Sequence, residues 1–146
     1  MPAKRSQGPN LFKIVCPSCG QEAKGLTIED IVQKHRDPKG WIVCPACGQE
    51  AYIPIQKTLA EGDEWKPHVR AIITFWNDKS PSIYRPFAFA ISYEPKGKIV
   101  GLWMNYYKVL PDEQTGGTRI TRIKHGPALY EENLAYFLPR LTELLR

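Results

Sequence analysis

Four cysteines are the residues of this chain whose types and spacing most directly indicate chemistry. They form two pairs, Cys16 with Cys19 and Cys44 with Cys47, and each pair lies in the pattern Cys-Pro-x-Cys-Gly. Two cysteines three positions apart on a tight turn can direct both thiolates at one ion, and the following glycine tolerates the positive φ that such a turn requires. The two pairs therefore predict one metal site with four cysteine ligands.

Both pairs belong to an internal repeat with a period of 28 residues. Residues 15–23 and 43–51 have the same sequence, except that Ser18 of the first copy corresponds to Ala46 of the second. So short a repeat cannot bury a core of its own, whereas two copies that share one ion are stabilised directly by metal binding. We therefore expect the copies to face each other across the ion.

Four thiolates complete the tetrahedral coordination shell of a structural zinc ion and leave no position for water or substrate. This argues against catalysis by the metal. Disulfide bonds and thiol redox chemistry are the alternatives. However, the chain starts with a polar segment rather than a signal peptide, and it contains no run of about 18 apolar residues that would span a membrane. We therefore expect a cytoplasmic protein, in whose reducing surroundings paired cysteines serve as metal ligands.

With these motifs the chain resembles zinc-ribbon proteins over residues 11–55, and only there. The resemblance implies one structural zinc ion on the four cysteines and a role in binding nucleic acid or protein. Rubredoxin-like domains have similar cysteine turns and hold iron (Fe) for electron transfer, which is the alternative. The charged segment between the two pairs departs from the compact rubredoxin pattern and favours zinc.

No catalytic pattern accompanies the cysteines. The three histidines, His35, His68 and His125, lie in different predicted elements, and none has the spacing of a ligand pair with another. The chain shows no glycine-rich phosphate loop, nucleophile elbow or paired carboxylates in a catalytic arrangement. We therefore expect a binding protein rather than an enzyme.

The chain changes character near its middle, which predicts two modules. The predicted parts are a basic flexible N-terminus at residues 1–10, the zinc ribbon at 11–55, a linker at 56–65 and a second domain at 66–146. A short helix is predicted inside the ribbon at residues 27–35, where Thr27 can cap it and acidic residues follow in the first turn. Because the second half has its own turns and apolar faces, we expect it to fold without the ribbon.

Residues 66–146 predict an antiparallel β-sheet with a C-terminal helix, so the expected fold class is α+β. The extended segments are predicted at residues 69–76, 86–94, 98–109 and 118–124. Apolar residues recur at helical spacing over residues 128–146, and Pro139 is expected to kink or divide the helix that they form. Because both faces of the predicted strands carry apolar groups, we expect this helix to cover the sheet.

The formal net charge of +5 is concentrated in the second half of the chain. Residues 1–64 carry eight basic and eight acidic side chains, whereas residues 65–146 carry twelve and seven. Aromatic and basic side chains on one sheet surface can stack on bases and neutralise phosphates. The residues predicted to contact nucleic acid or a protein partner are Arg85, Lys96, Lys98, Trp103, Tyr107, Lys108, Arg119, Arg122 and Lys124.

Nucleic-acid binding is the first hypothesis for this surface. The alternative is an accessory subunit or adaptor in a larger protein assembly, because exposed Trp, Tyr and Arg side chains are also typical of protein interfaces. The two classes differ in their dependence on salt, since only phosphate contacts release counterions from the ligand.

Overall fold

The computed structural model describes residues 10–55, 57–58, 64–75 and 83–144. Of the predicted flexible N-terminus, only Asn10 lies within this part of the chain. The elements are, in chain order, β1 (Phe12–Val15), β2 (Glu22–Leu26), α1 (Ile28–Lys34), β3 (Ile53–Pro54), β4 (Lys57–Thr58), β5 (Glu64–Trp65), β6 (His68–Thr74), β7 (Tyr84–Ser92), β8 (Gly101–Pro111), β9 (Thr118–Ile120), β10 (Lys124–Tyr130) and α2 (Glu131–Leu144).

Residues 10–55 form a small ribbon around the two cysteine turns. Strands β1 and β2 pair antiparallel, with the first turn between them. The second turn is flanked by a single bridge between Val43 and Glu50. A further bridge joins Val15 to Tyr52, so the strand before the first turn lies beside the segment that follows the second. The two copies of the repeat are thereby held side by side.

The helix predicted at residues 27–35 is confirmed as α1. The Thr27 hydroxyl accepts a hydrogen bond from the Asp30 backbone N–H at 3.2 Å, and the Asp30 carboxylate accepts one from the Thr27 N–H at 3.0 Å. This reciprocal capping box satisfies N–H groups that have no partner within the helix. Ile28, Ile31 and Val32 recur at helical spacing and are buried, so α1 turns one apolar face inward.

The main sheet has the order β10-β8-β7-β6-β3, and β9 also pairs with β8. All of these pairings are antiparallel, and together with the two helices they give an α+β fold. Strands β6, β7 and β8 confirm three of the predicted extended segments, with boundaries that differ by a few residues. Strand β3 comes from the ribbon half, so the sheet joins the two parts of the chain. Within the predicted linker, β4 pairs with β5.

The segment after β8 differs from its prediction. Strand β9 ends at Ile120, and residues 124–130 form the further strand β10, where the sequence predicts the end of an extended segment at 124 and a helix from 128. The pairing of β10 with β8 has a bulge between His125 and Ala128. Pro127 lies in this bulge, a position that tolerates the missing N–H of proline. The Gly126-Pro127 pair therefore interrupts the strand locally without ending it.

Helix α2 starts at Glu131 and continues through Pro139, so the predicted division of the helix does not occur. Its principal neighbour is β10. Tyr136 and Leu138 are 64% and 47% exposed, so these side chains do not provide the cover for the sheet that the sequence predicts. Neither of the helices in the described part of the chain is long and apolar enough to cross a membrane.

The ribbon covers one face of the sheet. The inner face of the sheet is the set of alternate residues that point toward the ribbon: Ile72, Phe87, Phe89, Ile91, Trp103 and Tyr107. These side chains form one buried cluster with ribbon residues that include Ile14, Ile28, Ile31, Ile42 and Ile53. Phe12 of β1 meets Phe89 edge-on, with 6.1 Å between ring centroids. The apolar core is therefore shared by both halves of the chain.

The outer face of the sheet consists of the intervening residues on the same strands. Small side chains occupy its middle, where Ala88 and Ala90 of β7 are buried between the neighbouring strands. Larger and charged groups surround them. The members of this face are Ile73, Tyr84, Pro86, Ala88, Ala90, Leu102, Met104, Tyr106, Lys108, Lys124 and Leu129.

Candidate metal centre and nucleic-acid surface

The two cysteine turns have the same backbone geometry. In the first, the Gly20 N–H donates to the Cys16 carbonyl at 2.9 Å, and in the second the Gly48 N–H donates to the Cys44 carbonyl at 2.9 Å. Both glycines have a φ of 75°, which is the left-handed region that favours glycine. The repeated sequence thus folds into two equivalent turns, each of which directs two thiols to the same side.

The four sulfurs come together at one point. All four Sγ atoms lie within 4.8 Å of one another, and the contacts that join the two turns are Cys16 to Cys47 at 3.6 Å and Cys19 to Cys44 at 3.7 Å. Sulfurs bound at about 2.3 Å to one tetrahedral ion are about 3.8 Å apart, whereas the sulfurs of a disulfide are about 2.05 Å apart. The distances fit four ligands around one ion and do not fit disulfide bonds.

A backbone amide is directed at a cysteine sulfur in each turn. The Cys19 N–H lies 3.5 Å from the Cys16 sulfur, and the Ala46 N–H lies 3.3 Å from the Cys44 sulfur. The Cys19 amide is the largest influence that lowers the pKa of the Cys16 thiol to about 7. Cys16 and Cys44 are buried, whereas Cys19 and Cys47 are exposed. One side of the centre therefore contacts the protein core and the other side contacts solvent.

The donor set limits what the centre can do. Four thiolates with tetrahedral spacing suit zinc or iron, and such a shell is complete without water or substrate. The cluster is therefore a metal-binding site whose chemistry favours holding the two turns together over activating a substrate.

Arg70 links the metal centre to the sheet. Its guanidinium is buried and forms an ion pair with Glu50, which follows the second turn, and its Nη1 donates to the Gly97 carbonyl at 2.7 Å in the turn before β8. The Arg70 carbonyl accepts a hydrogen bond from the Ile42 N–H at 3.0 Å. The guanidinium carbon also lies 5.7 Å from the centroid of the Trp41 ring. One side chain thus connects three separate segments of the chain.

A second link joins α1 to β8. The Tyr107 hydroxyl donates to Glu29 Oε1 at 2.6 Å. Burial, together with the hydrogen bond to this carboxylate, raises the pKa of Tyr107 well above that of an exposed tyrosine. The tyrosine is therefore neutral and fixes the position of the helix over the inner face.

Two aromatic residues that the sequence predicts as contacts lie on the inner face. Trp103 is 6% exposed and Tyr107 is fully buried. Neither ring exposes a face on which a base could stack, because the ribbon packs over this side of the sheet. In this structure the two residues are core residues, and the prediction that they form a contact surface does not match their burial.

The predicted basic contacts do not form one surface. Lys96 and Lys98 lie near the turn between β7 and β8, where Lys98 pairs with Glu131 at 3.1 Å. Arg85 is opposite Tyr107 in the pairing of β7 and β8. The remaining four are exposed and lie at the other end of β8 or beside it: Lys108, Arg119, Arg122 and Lys124. At about 3.3 Å per residue, the two ends of β8 are roughly 25 Å or more apart.

Two aromatic residues, Tyr84 and Tyr106, are not among the contacts that the sequence predicts. Tyr84 is 43% exposed, Tyr106 is partly exposed, and their ring centroids are 4.9 Å apart. Both lie on the outer face, beside Lys108 and Lys124. The available signal was the alternation along β8, since Tyr106 and Lys108 share one side of the strand and Tyr107 takes the other.

Comparison of the chain with protein families, with curated proteins and with solved structures found no match. The metal centre and the sheet surface are therefore the features from which a function can be inferred.

Proposed function

We propose that this protein is a non-enzymatic, zinc-stabilised binding protein whose ligand is nucleic acid. The observation that carries the proposal is the group of exposed cations at one end of the sheet, which consists of Lys108, Arg119, Arg122 and Lys124. Lys108, Arg119 and Lys124 lie on β8, β9 and β10, and Arg122 lies in the short link between β9 and β10. The shared core beneath β8 includes Cys16 and Cys44 of the cysteine turns.

Zinc is the metal that we propose for the centre. Two equivalent turns supply the four thiolates of one closed tetrahedral site, the usual form of structural zinc. Elemental analysis of the purified protein should find one zinc per chain. Stoichiometric iron, with the red colour of iron–thiolate charge transfer, would contradict the choice of zinc and support the electron-transfer alternative.

The charge distribution favours a polyanionic ligand. The ribbon half has no net formal charge, and four thiolates on a divalent ion add about −2 to it. The difference in net charge between the basic second half and the ribbon half is therefore larger in the metal-bound protein. Phosphate backbones bind such surfaces with the release of counterions, so the affinity should fall steeply with salt.

The test is a titration of labelled single-stranded and duplex oligonucleotides at two salt concentrations. Replacing Arg119, Arg122 and Lys124 with Ala should weaken binding for all sequences and make the salt dependence shallower by up to about one unit per lost contact. The matched control replaces Lys13, Lys24 and Lys39, three exposed ribbon lysines, with Ala. It removes the same charge and should leave the affinity nearly unchanged. Equal losses in both variants, or no salt-sensitive binding by the wild type, would reject the proposal.

A role as an accessory subunit or adaptor is the second candidate function. Ile73, Phe75 and Ile83 are 40%, 52% and 47% exposed at the adjoining ends of β6 and β7, and exposed apolar groups of this kind favour a protein partner. A partner bound there should be retained at high salt, and binding should bury apolar surface with a negative heat-capacity change. Replacing Phe75 with Ser should weaken that contact without changing nucleic-acid binding.

A further inference from the structure

We infer that the outer face of the sheet binds an unpaired nucleic-acid strand by stacking bases on Tyr84 and Tyr106. The inference rests on the proposed function and adds to it the form of the ligand, the face that receives it and the residues that contact its bases. We call Tyr84, Tyr106, Lys108 and Lys124 the stacking site.

Two aromatic rings form the centre of the stacking site. Tyr84 of β7 and Tyr106 of β8 have ring centroids 4.9 Å apart and planes inclined by 36°. Tyr84 remains 43% exposed even though its ring packs against the ring of Tyr106. Paired strands hold both residues, so a base that stacks there meets rings whose positions are already restricted. Stacking of this kind accepts every base, because each has a π-face.

The cations of the stacking site lie directly beside the rings. In the sheet register Lys108 is opposite Tyr84, and Lys124 is opposite Tyr106. Residues opposite each other have Cβ atoms about 4.5–5.5 Å apart, and a lysine side chain extends farther than this. Both lysines are exposed. The site therefore pairs each ring with a positive charge that can reach the phosphate of a stacked nucleotide.

The extent of the site follows from the strands around it. Arg119 is opposite Leu110, which lies on the same side of β8 as Lys108 and Tyr106. From Tyr106 to Leu110 the strand advances about 13 Å. Asp112 and Glu113, in the turn that follows β8, would repel phosphate beyond that point. The cations and rings thus suit a short stretch of a few nucleotides.

The rings favour an unpaired strand over a duplex. Bases in a duplex are stacked on one another and cannot lie flat on a tyrosine, whereas bases in a single strand can be splayed onto aromatic side chains. The lysines alone would bind the phosphates of a duplex equally well. Exposure of two rings between two lysines is the feature that distinguishes these ligands.

Tyr93 offers a matched comparison within the same molecule. It is 57% exposed at the other end of the sheet, in a cavity that Lys98, Glu131 and Glu132 also line. Lys98 is paired with Glu131, so the cavity has an excess of negative charge that would repel a phosphate backbone. A substitution at Tyr93 therefore removes an exposed ring of the same size from surroundings that do not suit the ligand.

The experiment measures affinities for labelled strands of about 12 nucleotides, a length within the range that single-strand sites cover. The probes are oligothymidylate, oligouridylate, an abasic strand of equal charge, a duplex of equal length and a polyglutamate peptide. Comparison of oligothymidylate with oligouridylate shows whether the affinity differs between DNA and RNA. Tyr84→Ala and Tyr106→Ala are compared with Tyr84→Phe, which keeps the ring, and with Tyr93→Ala. Thermal melts of every variant show that it is folded.

We expect the wild type to bind the two base-bearing strands more tightly than the abasic strand, the duplex and the peptide. Each of Tyr84→Ala and Tyr106→Ala should weaken binding to the base-bearing strands about 5- to 150-fold, the range for loss of one stacked base. Their affinity for the abasic strand and their salt dependence should stay nearly unchanged. Tyr84→Phe and Tyr93→Ala should bind like the wild type.

Three results would overturn the inference. If the strands bind with steep salt dependence but Tyr84→Ala behaves like Tyr93→Ala, the stacking site is rejected while the proposed function stands. If the abasic strand, the duplex or the peptide binds as tightly as the base-bearing strands, the surface recognises charge and does not stack bases. If no nucleic acid binds, the inference and the proposed function both fail.

Discussion

At the residue scale, the four cysteines combine local and long-range roles. Each pair of thiols is positioned by its own turn. Both turns have a glycine with positive φ and a backbone amide directed at a sulfur. The bonds to the ion would then connect residues about 28 positions apart, which the turns alone cannot do. Loss of one cysteine should therefore affect the stability of the whole chain rather than one turn.

The substitution Cys44→Ser tests this role. Cys44 is buried, and its loss opens the coordination shell, so we expect less than one metal per chain and a loss of more than about 4 kcal/mol in the free energy of unfolding. The control is Ser18→Ala, which gives the first turn the sequence of the second and should change neither quantity. Metal analysis and urea denaturation measure both. Full metal content in Cys44→Ser would contradict the four-ligand site.

Tyr107 should give the folded state a measurable pH dependence. The pKa of Tyr107 is raised by burial and by Glu29, so above the ordinary tyrosine pKa of about 10 the folded state binds more protons than the unfolded state. The free energy of unfolding therefore falls as pH rises through that range, and this contribution is fully present below it.

The substitution Tyr107→Phe removes the hydroxyl that titrates. At pH 7 the variant should lose about 1–3 kcal/mol with the hydrogen bond to Glu29. Between about pH 9.5 and 11 the gap between wild type and variant should narrow by roughly 1 kcal/mol, because only the wild type loses stability through this group. Urea denaturation at several pH values measures the gap. A gap that stays constant would mean that Tyr107 does not retain its proton in the folded state.

At the element scale, the turn between α1 and the second cysteine turn is shaped by contact with the sheet. Gly40 has a φ of 102°, and its carbonyl accepts a hydrogen bond from the Ile72 N–H at 2.9 Å. A Cβ atom at this position would lie 2.8 Å from the Ile72 carbonyl oxygen. The approach of this turn to β6 therefore requires glycine for two separate reasons.

Gly40→Ala should consequently destabilise the protein much more than Gly25→Ala. Gly25 also has a positive φ, 73°, but no atom lies within 4 Å of the position that its Cβ would occupy. We expect Gly25→Ala to cost about 1 kcal/mol from backbone strain alone, and Gly40→Ala to cost at least about 2 kcal/mol because β6 must also shift. Thermal melts compare the two. Equal losses would show that the turn can move away from β6 without cost.

At the scale of the whole molecule, the two predicted modules share one core. Ile72, Phe87, Phe89 and Ile91 of the sheet are buried against isoleucines of the ribbon, and Arg70 crosses between the two parts. Burial of side chains of this size contributes about 1.5–3 kcal/mol each. Exposure of these four residues would thus remove roughly 6–12 kcal/mol, a sum comparable to the whole stability of a typical domain.

The boundary at residues 56–65 remains a prediction, and the shared core gives a definite expectation for it. The sequence predicts that residues 66–146 fold without the ribbon, but the shared core reverses this expectation. The fragment should lack a cooperative thermal transition, because its inner face would be open to water. In a second experiment the full chain is treated with a metal chelator. The amides of β7 should then lose protection from hydrogen exchange. A cooperative melt of the fragment would instead support two independent domains.

The local features of this protein can be predicted from its sequence alone. The four ligands follow from two nearly identical turns, and α1 follows from the cap at Thr27 and the apolar spacing of residues 28–32. Each of these depends on contacts between residues close in the chain, and such contacts leave a pattern in the sequence. The antiparallel sheet was predicted from alternation within single strands, which is also local.

In contrast, the sequence does not show which face of the sheet is covered or which part of the chain covers it. Tyr106 and Tyr107 are neighbours in the sequence, yet one lies partly exposed on the outer face and the other is buried in the core. Alternation places them on opposite faces but does not say which face meets the ribbon, since both carry aromatic groups. Strand β10 was missed because its pairing with β8 overrides the Gly126-Pro127 signal. Sheet pairing and layer packing join residues far apart in the chain, and a local pattern does not record them.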